Sequence, residues 1–267
     1  MPAQVIQSNT TPFQSITVDP VTLDIIENAL RNARSEMDAV LFRTAMSPGI
    51  REQHDAFPMI ANHEGKMVVG QFGSFFWGFQ QGYDGTIEEG DVFLTNDPYS
   101  CNGAVSHLND WLMMMPIYID GRLVAWAAMF GHMTDIGGKV PGSLPTDAAQ
   151  VFEEGIQVPP VKIIRNGELN TEILELILRN CRLPDWNRSD FNALVAALRL
   201  AERRVLEMAN RFGVDELVVA MVEMLDRNKR AMGAILNMVI PEKKQHFEDY
   251  IDDDGMGMGP YKVSCTM

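Results

Sequence analysis

From Asp19 onward, apolar residues return every three or four positions: Ile25, Ile26, Ala29, Leu30, Ala33, Met37, Val40 and Leu41. That spacing lines one face of an α-helix. Asp19 stands where an N-cap belongs, Pro20 where the first helical residue belongs, and Ser47-Pro48-Gly49 marks the stop. Between Arg51 and about Lys162 the pattern changes to short apolar runs. Residues 67–72, 92–95, 112–119, 123–130 and 161–164 predict strands, with turns at Gly65, Gly90, Asp97-Pro98 and Asn102-Gly103. From Glu172 to about Leu236 the helical period returns. Ile173, Leu174, Ile177 and Leu178 open it, Pro184 predicts a break, and Ser189 or Asp190 predicts the next cap. That helix is expected to stop at Gly213. A third starts at Asp215 with a stripe of Leu217, Val218, Met221, Met224 and Leu225, suited to a sheet or a partner helix. Tyr261 to Met267 predicts one strand of a hairpin without its return.

These elements predict an α+β fold. A mixed, strand-rich central region carrying a β-hairpin is followed by a helical segment and a C-terminal strand. The expected divisions are an N-terminal arm over 1–17, an α+β region over 18–170, a helical segment over 171–240, and over 241–267 the start of a β region. The last is expected to be completed by another chain or by further sequence, because an open sheet edge seeks another strand.

Composition narrows the function classes. The net charge is −14 and no cluster of Lys and Arg stands out, which argues against nucleic acid as a partner. No apolar run approaches the roughly 18 residues of a membrane span. Cys101, Cys181 and Cys265 are isolated, and no basic segment followed by an apolar stretch opens the chain. A cytoplasmic protein is the expectation. Met113, Met114 and Met115, among 18 methionines, read as core filler. The segment 73–82, Gly-Ser-Phe-Phe-Trp-Gly-Phe-Gln-Gln-Gly, has two readings: the wall of a pocket for a planar substrate, or core packing under a loop. Near the end, Glu248, Asp249 and Asp252–Asp254 precede a glycine-rich stretch. Without the EF-hand spacing this reads as a solvated turn rather than a calcium site.

The chemistry concentrates in two repeats of one motif. His107-x-x-Asp110 is followed 22 residues later by His132-x-x-Asp135. Two imidazoles and two carboxylates are the ligand types that hold zinc, manganese or iron. Asp120-Gly121, midway between them, is a strong hairpin signal and would fold the two pairs together. A plain two-residue turn pairs Asp110 with Gly131 and sends Asp110 and His132 to opposite faces. A metal site therefore requires a three-residue loop, or a bulge such as Pro116 could force. The alternative is a pair of polar strand ends facing water.

Several segments together resemble the hydantoinase B/oxoprolinase family. They are Asp19-Pro-Val-Thr-Leu-Asp-Ile-Ile-Glu-Asn-Ala-Leu30, Gly90-Asp-Val-Phe-Leu-Thr-Asn-Asp-Pro-Tyr99, His107-Leu-Asn-Asp110 and Gly131-His-Met-Thr-Asp-Ile-Gly-Gly138. Pro141-Gly-Ser143, Phe152-Glu-Glu-Gly-Ile-Gln-Val-Pro-Pro160 and Phe247-Glu-Asp-Tyr-Ile-Asp-Asp-Asp-Gly255 continue in the family's order. The resemblance implies a divalent metal (Zn, Mn or Fe) on His107, Asp110 and His132. Asp135 would be a further ligand or would hold the His132 imidazole, and Asp55 is a second catalytic candidate. It also implies a chain about half the family's usual length, working in a hetero-oligomer. ATP would be bound by a hydantoinase A-type partner subunit, and a further chain would supply the C-terminal half. No G-x-x-x-x-G-K-[ST] motif is present here to bind ATP.

The family's activities give three expectations. The first is a subunit of an ATP-dependent carboxylase acting on an acetone- or acetophenone-like ketone with bicarbonate. The second is ATP-dependent hydrolysis of a cyclic amide such as a hydantoin, oxoproline or lactam. The third is a non-catalytic structural paralogue. The aromatic 73–82 segment and the half-length chain favour the first. The reading His54-Asp-Ala-Phe-Pro58, where hydantoinase-type members often have Arg-Asp-Phe-Ser, argues against a plain transfer of hydantoinase substrate chemistry.

Overall fold

The computed structural model describes residues 17–71, 75–241 and 243–267. The expected arm over 1–17 lies outside the described residues except for Thr17, as do the first two residues of the aromatic segment. The first helix is capped as its sequence dictates. Helix α1 runs Pro20–Thr44, with Asp19 Oδ1 accepting from the N–H groups of Val21 and Thr22. A single turn, α2 (Pro48–Arg51), follows.

Seven strands form one sheet: β1 (Met59–Asn62), β2 (Met67–Val69), β3 (Val92–Thr95), β4 (Asp110–Ile119), β5 (Arg122–His132), β6 (Val161–Arg165) and β7 (Glu168–Leu169). Their order is β2-β1-β5-β4-β3-β6-β7, and every pairing is antiparallel. The sequence reading missed β1. It is four residues long and has little pattern of its own, so its pairing with β5 defines it.

The central strands read as unbroken apolar runs because both faces of the sheet are covered. Met113, Met115, Ala125, Ala127 and Met129 pack in one core with α1, α5 and α6; α5 spans Pro184–Phe212 and α6 Val214–Val239. Leu112, Met114, Trp126, Ala128 and Phe130 face a second core. There they meet Phe75, Phe76 and Phe79 of α3 (Phe75–Gly82). Of the two readings of the aromatic segment, core packing holds for these three side chains, all buried, while Trp77 is exposed. Helix α3 lies so close to the next loop that a Cβ at Gly82 would fall 1.6 Å from the Ser100 carbonyl oxygen. The three consecutive methionines are fully buried, as expected of core filler.

The helical segment corrects one expectation. The run breaks before Pro184 as expected, α4 (Thr171–Arg179) having ended at Arg179, but the next helix begins at Pro184 itself, in the first turn of α5, as proline's fixed φ allows there. Ser189 and Asp190 are therefore inside α5, and Asp190 is fully buried. Its carboxylate caps a different element. It accepts from the N–H groups of Met46 (2.5 Å) and Ser47 (3.2 Å) and from Ser47 Oγ (2.5 Å), at the entry to α2.

The C-terminal strand also differs from expectation. Strand β9 (Tyr261–Thr266) has its return within the chain, β8 (His246–Ile251), in a separate two-stranded sheet. The acidic stretch between them caps its own turn: Asp253 accepts from Gly255 N–H and Asp254 from Met256 and Met258 N–H. Among the described residues no helix is long and apolar enough to cross a membrane.

Candidate metal centre

The site is built by the β4–β5 hairpin, and its geometry turns on one extra residue. The turn is the two-residue type: Ile119 pairs with Arg122, with Asp120 (φ 52°) and Gly121 (φ 74°) left-handed. By itself this turn would pair Asp110 with Gly131. The register shifts at the next step, where Tyr118 pairs with Leu123 and Ile117 with Ala125, leaving Val124 as a bulge. Asp110 then stands directly opposite His132. The required bulge is thus present, but on β5, and Pro116 pairs in register with Trp126.

His107 arrives from the turn before β4, where Asp110 N–H donates to the His107 carbonyl at 3.4 Å. His107 Nε2 lies 3.2 Å from Asp110 Oδ1, Asp110 Oδ1 lies 3.1 Å from His132 Nδ1, and the two ring nitrogens are 3.1 Å apart. Among the described residues, these three form the one His/Cys/Asp/Glu group with ligand atoms close enough to share an ion. Separations near 3 Å are those of neighbouring ligands on a tetrahedral or octahedral ion with bonds of about 2.0–2.2 Å. Ser106 Oγ lies 3.0 Å from His107 Nδ1. With Nδ1 protonated and donating to that oxygen, Nε2 keeps its lone pair for the shared position. The donor set therefore fits a divalent metal.

Electrostatics follow from the same contacts. The hydrogen bond to Asp110 raises the His107 pKa above its ordinary value, with burial opposing and Asp55 and Glu154 reinforcing. Burial pushes the Asp110 carboxyl up, but its hydrogen bonds to His107 and His132 outweigh that and hold it low. A cation at this position would be met by a carboxylate.

Asp55 joins the edge of the group. Its carbonyl accepts from His132 N–H at 3.2 Å, and its Oδ2 lies 3.6 Å from His132 Nδ1. The preceding His54 is left-handed (φ 57°) and stacks on Phe42 with centroids 4.0 Å apart, which presents Asp55 to the hairpin end.

Asp135 is placed differently from the expectation. Its carboxylate accepts from the N–H groups of Gly137 (2.9 Å) and Gly142 (2.8 Å) and from the Arg182 guanidinium (3.2 Å). The same guanidinium donates to the carbonyls of Gly137, Gly138 and Val140. These bonds occupy Asp135 with pinning the loop that follows His132, so it neither joins the ligand group nor holds the imidazole.

Sequence reasoning missed the residues that hold the ligands in place. Asn109 brackets Met133: its backbone carbonyl accepts Met133 N–H at 2.8 Å and its side-chain Nδ2 donates to the Met133 carbonyl at 2.9 Å, which ties the two ligand-bearing turns together. Asn96 donates to the Leu108 carbonyl at 2.7 Å. Ser47 Oγ, held by Asp190, accepts from Thr134 N–H at 3.1 Å. The available signal was polar side chains inside or beside apolar strands, since such groups are buried only with partners.

With this geometry described, comparison with known proteins decides the family. The model for hydantoinase B/oxoprolinase matches residues 19–267. The chain belongs to the hydantoinase B/oxoprolinase family. Within it, the chain is 34% identical over 260 residues to the caprolactamase subunit beta of Pseudomonas jessenii, covering 94% of this chain and 44% of that protein. The crystal structure of the ATP-dependent caprolactamase from that organism superposes with a TM-score of 0.84 at 30% identity, again covering 94% of this chain and 44% of the other. The acetophenone carboxylase delta subunit of Aromatoleum aromaticum is 27% identical over 223 residues, 80% of this chain and 32% of that protein. A nucleotide-free acetone carboxylase structure shares the fold, with a TM-score of 0.77 at 18% identity over 88% of this chain and 32% of that one. This hydantoinase B/oxoprolinase chain thus spans less than half the length of these relatives.

Proposed function

We propose that this chain carries the divalent-metal site of a multi-subunit, ATP-dependent enzyme that opens a cyclic amide. The observation that supports it is the triangle of His107 Nε2, Asp110 Oδ1 and His132 Nδ1, with edges of 3.1–3.2 Å. A bound Zn, Mn or Fe ion would supply Lewis acidity toward a carbonyl or phosphoryl oxygen. The chain's own residues have separate tasks. His107 and His132 offer neutral imidazole lone pairs, and Asp110 supplies the negative charge. Asp55 Oδ2, beside His132 and partly exposed, is the proton acceptor for the nucleophilic water. Asp135 and Arg182 hold the loop after His132 still. ATP belongs to a hydantoinase A-type partner subunit.

Ring opening ranks ahead of ketone carboxylation for two reasons. The caprolactamase beta subunit matches more of the chain at higher identity than the acetophenone carboxylase subunit does. The aromatic segment that favoured a ketone site has Phe75, Phe76 and Phe79 buried in the core. Carboxylation of a ketone with bicarbonate remains the second reading, supported by the likeness to the acetophenone carboxylase subunit. An intact ligand set argues against a purely structural paralogue.

The test is to purify the chain with its co-expressed partner subunits and measure metal content. ATP consumption is then followed with caprolactam, hydantoin or 5-oxoproline, and separately with acetone or acetophenone plus bicarbonate. Lactam-dependent ATP consumption with about one metal per site is expected. ATP consumption only with ketone and bicarbonate would shift the assignment to the second reading, and an active complex without metal would overturn both.

A further inference from the structure

Glu154 stands at the metal centre without a partner of its own. Several connections meet at the end of the sheet that carries the metal triangle. One enters β1 from Asp55, one leaves β3 at Asn96, and one enters β6 from Glu154. Strand β1 lies beside β5 and β6 lies beyond β3, so Asp55 and Glu154 arrive from opposite sides of the β4–β5 hairpin. The turn carrying Glu154 is tied to both ligand-bearing turns. Asn96 Nδ2 donates to the carbonyl of Leu108, next to His107, at 2.7 Å and to that of Ile156 at 2.9 Å. Ile156 N–H donates to the Ile136 carbonyl at 3.0 Å and Lys139 N–H to the Glu153 carbonyl at 2.8 Å, which holds the turn against the loop after His132. The two adjacent glutamates have different surroundings. The Glu153 carboxylate meets Lys139 and the N–H groups of Ala149 and Gln150. The Glu154 carboxylate is half-buried and has no hydrogen-bond or ion-pair partner among the described residues. Its charge is felt at His107, as is that of Asp55. A half-buried carboxylate with no internal donor is placed to take one from a ligand.

We infer that Glu154 accepts the ring N–H of a cyclic amide whose carbonyl faces the metal triangle, and so selects rings with a free N–H. This role rests on the ring-opening function proposed for the site and adds the substrate feature that the site reads. A small ring holds its amide cis, so its C=O and N–H lie along one edge and meet two neighbouring groups at once. An open-chain secondary amide is overwhelmingly trans and turns its N–H away from a group beside its carbonyl. An N-alkyl amide replaces the donor with bulk and leaves the carboxylate unpaired, and a ketone offers no N–H at all. Caprolactam, hydantoin and 5-oxoproline each carry the N–H beside a carbonyl.

The test reads binding as well as turnover, on the chain with its co-expressed partner subunits. Whichever of caprolactam, hydantoin and 5-oxoproline drives ATP consumption is titrated by calorimetry into the metal-loaded complex without ATP, alongside its N-methyl counterpart. Metal content is measured for each variant. The parent is expected to bind the N–H form about tenfold or more tighter than the N-methyl form. Glu154→Ala should weaken binding of the N–H form about 10–100-fold and shrink the preference to less than about threefold, with metal content unchanged. Glu154→Gln keeps an acceptor oxygen without the charge and should fall between the two. A parent without the preference, or a Glu154→Ala complex that keeps it, overturns the inference and leaves ring opening in place. Loss of metal from Glu154→Ala also overturns it, by making Glu154 a metal ligand instead. A parent complex in which no cyclic amide drives ATP consumption overturns the ring-opening function, and the role of Glu154 with it.

Discussion

Asp190→Ala should lower the thermal midpoint of this chain by about 10 °C. Asp190 is fully buried in α5, and its carboxylate takes three donors: Met46 N–H, Ser47 N–H and Ser47 Oγ–H. The hydroxyl can rotate toward another acceptor, but the two backbone donors cannot. Leaving a buried donor unsatisfied costs about 1–3 kcal/mol. Two such losses give about 2–6 kcal/mol, with a central value of about 4. For a domain of 150–250 residues each kcal/mol lowers the midpoint by about 2–4 °C. Asp190→Asn keeps one acceptor oxygen and should lose about half as much. The consequence reaches the metal centre, because Ser47 Oγ accepts Thr134 N–H two residues after His132. Metal affinity should fall about tenfold, in the range seen when supporting hydrogen bonds are removed. Circular dichroism melts and competitive titration with a chromophoric chelator measure the two effects. A midpoint within about 2 °C of the parent would show that water replaces the carboxylate without cost, and the capping argument would fail.

His132→Ala should abolish metal retention on dialysis, read by elemental analysis, while changing the metal-free melting midpoint by less than about 3 °C, since the ring sits at a strand end; retained metal would place the ion elsewhere. Ser106→Ala frees the Nδ1 side of His107 and should weaken metal binding by about 10-fold without unfolding, whereas unchanged affinity would mean that Ser106 does not orient the ring. Asp135 yields a pH prediction. Burial pushes its pKa up, but the N–H groups of Gly137, Gly142 and Arg182 and the Arg182 side chain together hold it below the ordinary 3.8. A lowered folded-state pKa contributes stability that is fully present above 3.8 and is lost as pH falls through the folded value. Asp135→Asn should therefore be less stable than the parent at pH 7, with the gap narrowing in urea melts taken below that value; a gap independent of pH would refute the ionic account.

What could be read from the chain was whatever depends on near neighbours in sequence. The Asp19 cap and Pro20 fixed the start of α1, because a capping side chain reaches only two or three residues ahead. Asp120-Gly121 fixed the hairpin turn, because both positions need left-handed backbone that these residues tolerate. The likeness of the His107, His132 and neighbouring motifs to one family was equally visible, being a matter of residue order. What depends on distant partners was not visible. The turn alone predicts the wrong register for Asp110, and the bulge at Val124 that corrects it belongs to a ladder whose strands are also held by β1, β3 and two cores. Asp190 looked like a helix cap because Ser and Asp before an apolar run usually are; only the packing of α5 against the entry to α2 gives it 143 and 144 residues of sequence separation from its donors. Asp135 looked like a ligand because His-x-x-Asp places it near His132 in sequence. Arg182, 47 residues away, claims its carboxylate first, and a charge already met by a guanidinium and backbone donors has little left to give a metal.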